Sequence, residues 1–344
     1  MAEHTEHTEQ TEQTERTKPA EHTKPTEHSE QTEQTERTEY SERTDQTTQR
    51  APVAVGLVGA GPWATRVHAP VFAAGPETRL TAVWARRPEA ARALAEPYGA
   101  VACVEYDELL DRCEAVVFAV APEAQPALAE RAARAGKAVL LEKPIAADPD
   151  TARRLAEVIG AAGVGSMVAL SARYAPRVRE FLAHAENAET PWRGGRLSCV
   201  SGAFLDGPFA ASPWRQTRGA ILDIGPHAFD LMSVALGDVV DVRADSPGAG
   251  WTALQLVHAG GAVSQVVLCG TATGGHRYDV ELYGSTGALA LDLTEAIDAA
   301  AFAVLRAEFA ALVRDGGEHV CDVRRGLYLQ EVIARAERQL AAAR

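Results

Sequence analysis

The segment Pro52-Val-Ala-Val-Gly-Leu-Val58, followed at once by Gly59-Ala-Gly61-Pro-Trp-Ala64, constrains this chain more than any other feature. A short, nearly continuous apolar run reads as a strand buried on both faces, and a helix-like stretch follows the glycines through Ala74. Strand, glycine turn and helix open a dinucleotide-binding fold. Gly59 permits the tight turn, Gly61 lets the backbone approach a pyrophosphate, and the helix N-terminus offers that anion free N–H groups and a positive dipole. Pro62 and Trp63 fall inside the turn, and Ala64 takes its third small position. The GxGxxA spacing alone also fits a glycine turn with no ligand; its place directly after the first buried strand favours the nucleotide.

The second strand reads Leu80-Thr-Ala-Val-Trp-Ala85, where an NAD site usually ends in Asp or Glu to hold the ribose hydroxyls. Here Ala85-Arg86-Arg87 follows, with no acid between Thr78 and Pro88. A carboxylate would repel a 2′-phosphate, whereas a guanidinium pairs with it in two parallel bonds. The expectation is therefore NADP(H), with NAD the alternative and Arg86 the leading phosphate ligand. The competing reading makes Arg86 and Arg87 solvated loop charges.

Ala115-Val-Val-Phe-Ala-Val120 and Ala138-Val-Leu-Leu141 are further runs of strand length, separated by the helically spaced Glu123–Gly136. Alternating strands and helices imply a parallel, doubly wound sheet, whose ligands lie beyond the carboxyl ends of its strands. That places Ala121, Pro122 to Gln125, and Glu142-Lys143-Pro144 at the cofactor mouth. At a strand end beside a proline turn, Lys143 can point into the cleft rather than into water.

After Gly163 the pattern changes. Ser166–Leu170 is one more strand, a helix follows through Glu180, and a loop-rich segment runs to Arg218. Then comes Gly219-x3-Asp223-x-Gly225-x-His227. If a helix has begun, residues four apart share a face, and Asp223 can hold the His227 imidazole in one tautomer; a core histidine with a capping aspartate fits the same spacing. Thr252–His258, Val263–Cys269, His276–Tyr283 and Ala288–Leu293 read as antiparallel strands with glycine-rich turns, so this half is α+β. One sheet face should pack on the helices carrying Asp223 and His227, and the other is suited to a subunit interface. Ala300–Val313 and Arg324–Ala343 read as helices that return to the first domain. The division expected is a tail over 1–50, a Rossmann domain over 51–171, an α+β domain with an open, mostly antiparallel sheet over 172–323, and a returning helix over 324–344.

Residues 1–50 nearly repeat Thr-Glu-(His/Gln/Arg), and only Met1, Ala2, Ala20 and Tyr40 are apolar, so the segment reads as a disordered, solvated tail. It holds thirteen acidic and six basic side chains, within 47 acidic against 34 basic in the whole chain. This balance excludes an ordinary basic nucleic-acid binder. No window is apolar enough to span a bilayer and the N-terminus has no signal-like core, so a cytoplasmic location is expected. The five cysteines have no metal-ligand or disulfide spacing, which makes them buried reduced thiols, with no metal expected.

Taken together, Gly59-Ala-Gly61, Ala85-Arg86, Glu142-Lys143-Pro144 and Gly219-x3-Asp223-x-Gly225-x-His227 resemble, in order and spacing, the glucose-fructose oxidoreductase/inositol dehydrogenase (Gfo/Idh/MocA) family. The resemblance covers about residues 53–340. It implies a Rossmann domain with an open-sheet domain, a nicotinamide cofactor, and catalytic roles for Lys143, Asp223 and His227, with Asp223 orienting His227. Many relatives carry a histidine at the position of Gln125. Arg173-Tyr174 and Trp214-Arg215 stand where relatives often contact substrate, and His68 is expected to be structural or near the cofactor. The leading expectation is an NADP-dependent oxidoreductase acting on a sugar, cyclitol or sugar nucleotide, as a homodimer or homotetramer. A lyase or hydrolase with retained cofactor and a non-catalytic nucleotide-binding regulator are the alternatives.

Overall fold

The computed structural model describes residues 50–206, 210, 213–248 and 250–342. The expected tail, apart from Arg50, lies outside the described residues.

Six strands, β1 (Val53–Val58), β2 (Thr78–Trp84), β3 (Val101–Cys103), β4 (Ala115–Phe118), β5 (Ala138–Leu141) and β6 (Ser166–Val168), form a sheet in the order β3-β2-β1-β4-β5-β6. Every pairing is parallel. Helices α1 (Ala69–Ala73), α2 (Pro88–Ala95), α3 (Tyr106–Asp111), α4 (Gln125–Arg134) and α5 (Pro149–Ala162) lie along the crossovers. β4 and β5 are therefore buried at every residue, which is why they read as continuous apolar runs. α5 shows local and global preferences agreeing: Asp148 caps it through the Thr151 N–H, Pro149 opens it and Gly163 closes it in the left-handed region.

Strand order reverses between β1 and β4, and a ligand crevice opens at their carboxyl ends. Gly59 sits there with φ +111°, and a Cβ on it would lie 2.4 Å from the Ala119 carbonyl oxygen. Only glycine allows the two strand ends to approach so closely.

After α6 (Pro176–Glu186) come β7 (Trp192–Val200), α7 (Pro213–Asp223), α8 (Gly225–Leu236), β8 (Val239–Gly248), β9 (Trp251–His258), β10 (Val263–Cys269), β11 (Arg277–Gly284) and β12 (Ala288–Asp292). The second sheet runs β12-β11-β7-β10-β9-β8. It is antiparallel except between β7 and β10. The four strands expected in this half are present, with ends shifted by at most one residue.

Two strands are additional. β7 falls in the stretch read as loop, because Arg193-Gly194-Gly195-Arg196 hides its alternation. Those glycines are required by neighbouring backbone: a Cβ on Gly194 would lie 2.5 Å from the Val263 carbonyl oxygen, and one on Gly195 would lie 2.7 Å from that of Glu281. β8 slips register twice, so Val239 and Val242 both point inward although three residues apart.

Leu197, Leu256, Val266, Leu268, Val280 and Leu282 form the buried inner face, against which α8 packs. Trp251, Val263 and Tyr283 are exposed on the outer face. Two last helices, α9 (Ala299–Asp315) and α10 (Val323–Ala342), return to the first sheet and its helices. Arg306 on α9 pairs with Glu77 at 2.8 Å, Phe309 meets the Phe72 ring edge-on, and α10 lies along α5 and α8. All five cysteines are buried and unpaired. Among the described residues no helix is long and apolar enough to cross a membrane.

Candidate active site

β5 delivers the chain into Glu142-Lys143-Pro144, and a fully buried Gln125 at the start of α4 fixes that turn. Its Nε2 donates to the carbonyls of Glu142 (2.8 Å) and Ile145 (3.1 Å), and its Oε1 accepts from the Glu142 N–H at 2.8 Å. The main chain is thus strapped on both sides of Lys143. Sequence reasoning put Gln125 in the cofactor pocket in place of a ring; the structure instead engages both ends of its amide with the main chain. Glu142 is also buried. Its Oε1 accepts from Trp63 Nε1 at 2.6 Å and faces His68 Nε2 at 2.7 Å, and its Oε2 accepts from the Lys143 N–H at 3.2 Å. One carboxylate thereby joins the glycine turn to the lysine turn.

Lys143 Nζ donates to Asp223 twice, to Oδ1 and to the main-chain carbonyl, both at 2.8 Å. Arg215 holds the same carboxylate, with Nε 2.9 Å from Oδ2 and an Nη 3.3 Å from Oδ1. Its guanidinium also lies 4.3 Å over the Trp214 ring. Arg215, expected at the substrate, is therefore directed at Asp223. The two residues lie eight apart on α7, and the Gly219 kink between them obscures the spacing.

The expected Asp223–His227 pair also differs. Asp223 ends α7 and His227 lies in the first turn of α8, with Ile224 between them still in the right-handed helical region, its N–H donating to the Ala220 carbonyl at 2.7 Å. Asp223 bonds Lys143 and Arg215 rather than His227, whose Nδ1 is buried with no hydrogen-bond partner among the described residues. Arg173 and Tyr174 belong to the core. The Tyr174 hydroxyl donates to the Val168 carbonyl at 2.8 Å, and Arg173 pairs at 3.2 Å with Asp230, which also takes Arg325 at 2.7 Å. The structure thus directs the Tyr174 hydroxyl and one Arg173 nitrogen at protein partners.

Burial alone would raise the Asp223 carboxyl, but the Lys143 and Arg215 charges and hydrogen bonds outweigh it and hold the group well below the usual carboxylate range. Burial first, and the Lys143 charge second, push His227 down to about 3, with Asp223 opposing. His227 is therefore a neutral imidazole at pH 7. Burial pushes the nearby Cys199 thiol up to about 12, so it is no thiolate nucleophile.

The His227 shift has a stability consequence. The imidazole is neutral in both folded and unfolded states above about pH 6.5, and contributes nothing to pH dependence there. As pH falls from 6.5 toward 3, only the unfolded chain takes up the proton, and stability is lost, by about 2 kcal/mol at pH 5. Denaturant unfolding at pH 7.5 and 5 should show this loss in the wild type and a correspondingly smaller one in His227→Gln.

On the nucleotide side, a Cβ on Gly61 would meet nothing within 4 Å, so the turn is open above its backbone. Ala64 is buried at the start of the helical segment, Ala121 and Pro122 follow β4, and Ala85, half-buried, precedes exposed Arg86 and Arg87 at the end of β2. This open turn at the start of a helix fits a dinucleotide pyrophosphate.

Comparison with known proteins agrees. Residues 53–170 match the oxidoreductase family with an NAD-binding Rossmann fold, and residues 153–290 match the Gfo/Idh/MocA C-terminal domain. A dTDP-3,4-didehydro-2,6-dideoxy-alpha-D-glucose 3-reductase of Streptomyces violaceoruber is 33% identical over 277 residues, covering 74% of this chain and 77% of the relative. An inositol 2-dehydrogenase of Rhizobium meliloti (strain 1021) is 28% identical over 254 residues, covering 70% of this chain and 76% of that protein. Among solved structures, GenD2 from gentamicin A biosynthesis, in complex with NAD, superposes with a TM-score of 0.77 at 24% identity, covering 87% of this chain and 97% of its own. The chain belongs to the Gfo/Idh/MocA family and is an NAD(P)-dependent oxidoreductase.

Proposed function

We propose that this oxidoreductase prefers NADP(H) and transfers hydride between the nicotinamide and a hydroxyl or carbonyl of a sugar, cyclitol or sugar nucleotide. The observation that carries this reading is the Lys143–Asp223 contact at 2.8 Å, made between the strand end of one domain and the helix end of the other, with His227 four residues on. The relatives named above, a sugar-nucleotide reductase and an inositol dehydrogenase, support the substrate class. The glycine turn from Gly59 to Ala64 would hold the pyrophosphate, Arg86 with Arg87 the 2′-phosphate, and Ala121, Pro122 and the Glu142-Lys143 turn would border the nicotinamide. When bound, the nicotinamide supplies the hydride acceptor or donor.

The chain's own residues handle the oxygen and its proton. Lys143, fixed by the Gln125 strap and by Asp223, donates a hydrogen bond to the reacting oxygen and stabilises negative charge developing there. With Nδ1 sealed in the protein, His227 presents Nε2, which as neutral imidazole accepts the hydroxyl proton in oxidation and returns it in reduction. Arg215 and Lys143 together outweigh the single Asp223 charge, so the site carries a surplus positive charge suited to an alkoxide. A homodimer or homotetramer built on the outer face of the second sheet, around Trp251, Val263 and Tyr283, and a cytoplasmic location complete the reading.

Titration with NADPH and NADH, followed by nicotinamide fluorescence, tests the cofactor preference. NADPH should bind at least tenfold more tightly, about 1.4 kcal/mol, and Arg86→Ala should remove most of that margin while leaving NADH affinity within about twofold. Equal or tighter NADH binding by the wild type would contradict it.

A further inference from the structure

Gln330 lies on α10 with 1% of its surface exposed, and neither its Nε2 nor its Oε1 has a hydrogen-bond partner among the described residues. An amide side chain carries two donors and a two-lone-pair acceptor. Burying either end unsatisfied carries the full desolvation penalty of that group, and native interiors rarely leave both ends so.

Beside the Gln330 amide is a small cavity walled by Lys143, Pro144, Pro226, Leu329 and Ile333 among others, with about 10 Å³ of room for the centre of a water-sized sphere. That is at the lower limit for one water molecule, and too small for a nucleotide or a sugar. Its walls come from three places that matter to the site: the Lys143-Pro144 turn, the residue before His227, and α10. The helix presses directly on the turn, for a Cβ on Gly326 would come within 2.6 Å of Ile145 Cγ2. Two buried glutamine amides therefore flank the lysine turn. Gln125, on one side, makes three main-chain hydrogen bonds; Gln330, on the other, finds no partner among the described residues.

We propose that this cavity is a binding site for one water molecule held by the Gln330 amide, and that through it Gln330 acts as a positioning residue for Lys143. The water accepts from Nε2 and donates to Oε1 or to a peptide carbonyl of the lining residues, so the amide is satisfied without touching substrate or cofactor. Together with the Gln125 strap, it braces the lysine turn against α10 and against the start of α8. The water site stands independently of the proposed reaction; the positioning role rests on the assignment of Lys143 to catalysis.

The test is a high-resolution crystal structure of the full chain and of Gln330→Met, an apolar side chain of similar length, with steady-state kinetics and thermal unfolding of both. In the wild type an isolated density peak should stand about 2.7–3.2 Å from the amide, and it should be absent from the variant. Gln330→Met should melt at lower temperature, and its kcat should fall roughly tenfold with the KM for the nicotinamide cofactor unchanged. No peak in the wild type, or a variant that melts higher because an orphaned amide has been removed, would overturn the water site. An unchanged kcat would overturn the positioning role alone. If the variant does not fold, the wild-type density decides the first point, and kcat of Gln330→Asn, which keeps the amide but moves it away from the turn, decides the second on the same criterion.

Discussion

Replacing Lys143 with Met should lower kcat about a thousandfold, the scale seen when a preorganised donor to a developing oxyanion is removed, while the protein remains folded. The reason lies in how the carboxylate is shared. Asp223 keeps its Arg215 partner when the ammonium is lost, at 2.9 Å, so no buried charge is stranded. Gln125 and Glu142 hold the main chain of the turn through bonds that do not involve the lysine side chain. Steady-state rates with a turned-over substrate, alongside the melting temperature and the NADPH dissociation constant, check this. A variant within tenfold of wild-type kcat would remove Lys143 from the chemistry.

Asp223→Ala should behave in the opposite way, losing stability as well as activity. Lys143 and Arg215 side chains are only 15% and 19% exposed, and both pair with this carboxylate. Without it, two mostly buried cations lose the carboxylate they share, and breaking such a pair costs about 3–5 kcal/mol. Asp223 bonds Lys143 and Arg215 rather than His227, which supports the proposal that it holds Lys143 in place. Chemical denaturation should show the loss. The double variant Arg215→Met/Asp223→Ala should recover part of it, since one of the repelling charges is gone. A single-variant loss below about 1 kcal/mol would show that solvent already screens the pair.

Much of this molecule is legible from residue patterns, and the unreadable parts have identifiable causes. β4 and β5 of the first sheet could be read because they are buried on both faces, so Ala115–Phe118 and Ala138–Leu141 contain no polar residue to confuse their limits, whereas the three-residue edge strand Val101–Cys103, partly exposed, was not legible. β7 could not, because two glycines demanded by neighbouring backbone and two arginines replace the alternation that marks a half-buried strand. The residue types of the site were visible as spacing, but their pairing was not. Asp223 and His227 are four apart in sequence, yet a residue eighty positions earlier, Lys143, takes the carboxylate. Arg173, Tyr174 and Gln125 stand where binding residues are expected, and their burial with main-chain or carboxylate partners is a tertiary fact that local sequence does not encode.

The most direct test of the account is isotopic. The full chain would be incubated with NADPH carrying deuterium at nicotinamide C4, in each of the two stereochemical forms, and with a panel of keto-sugars, keto-cyclitols and nucleoside-diphosphate-linked keto-sugars. Products would be read by mass spectrometry. The account predicts a product carrying one deuterium from one form only, and no labelled product from Lys143→Met although that variant still binds NADPH. Wild-type protein that binds NADPH and transfers label to no member of the panel, or a Lys143→Met variant that transfers it as fast as wild type, would contradict it.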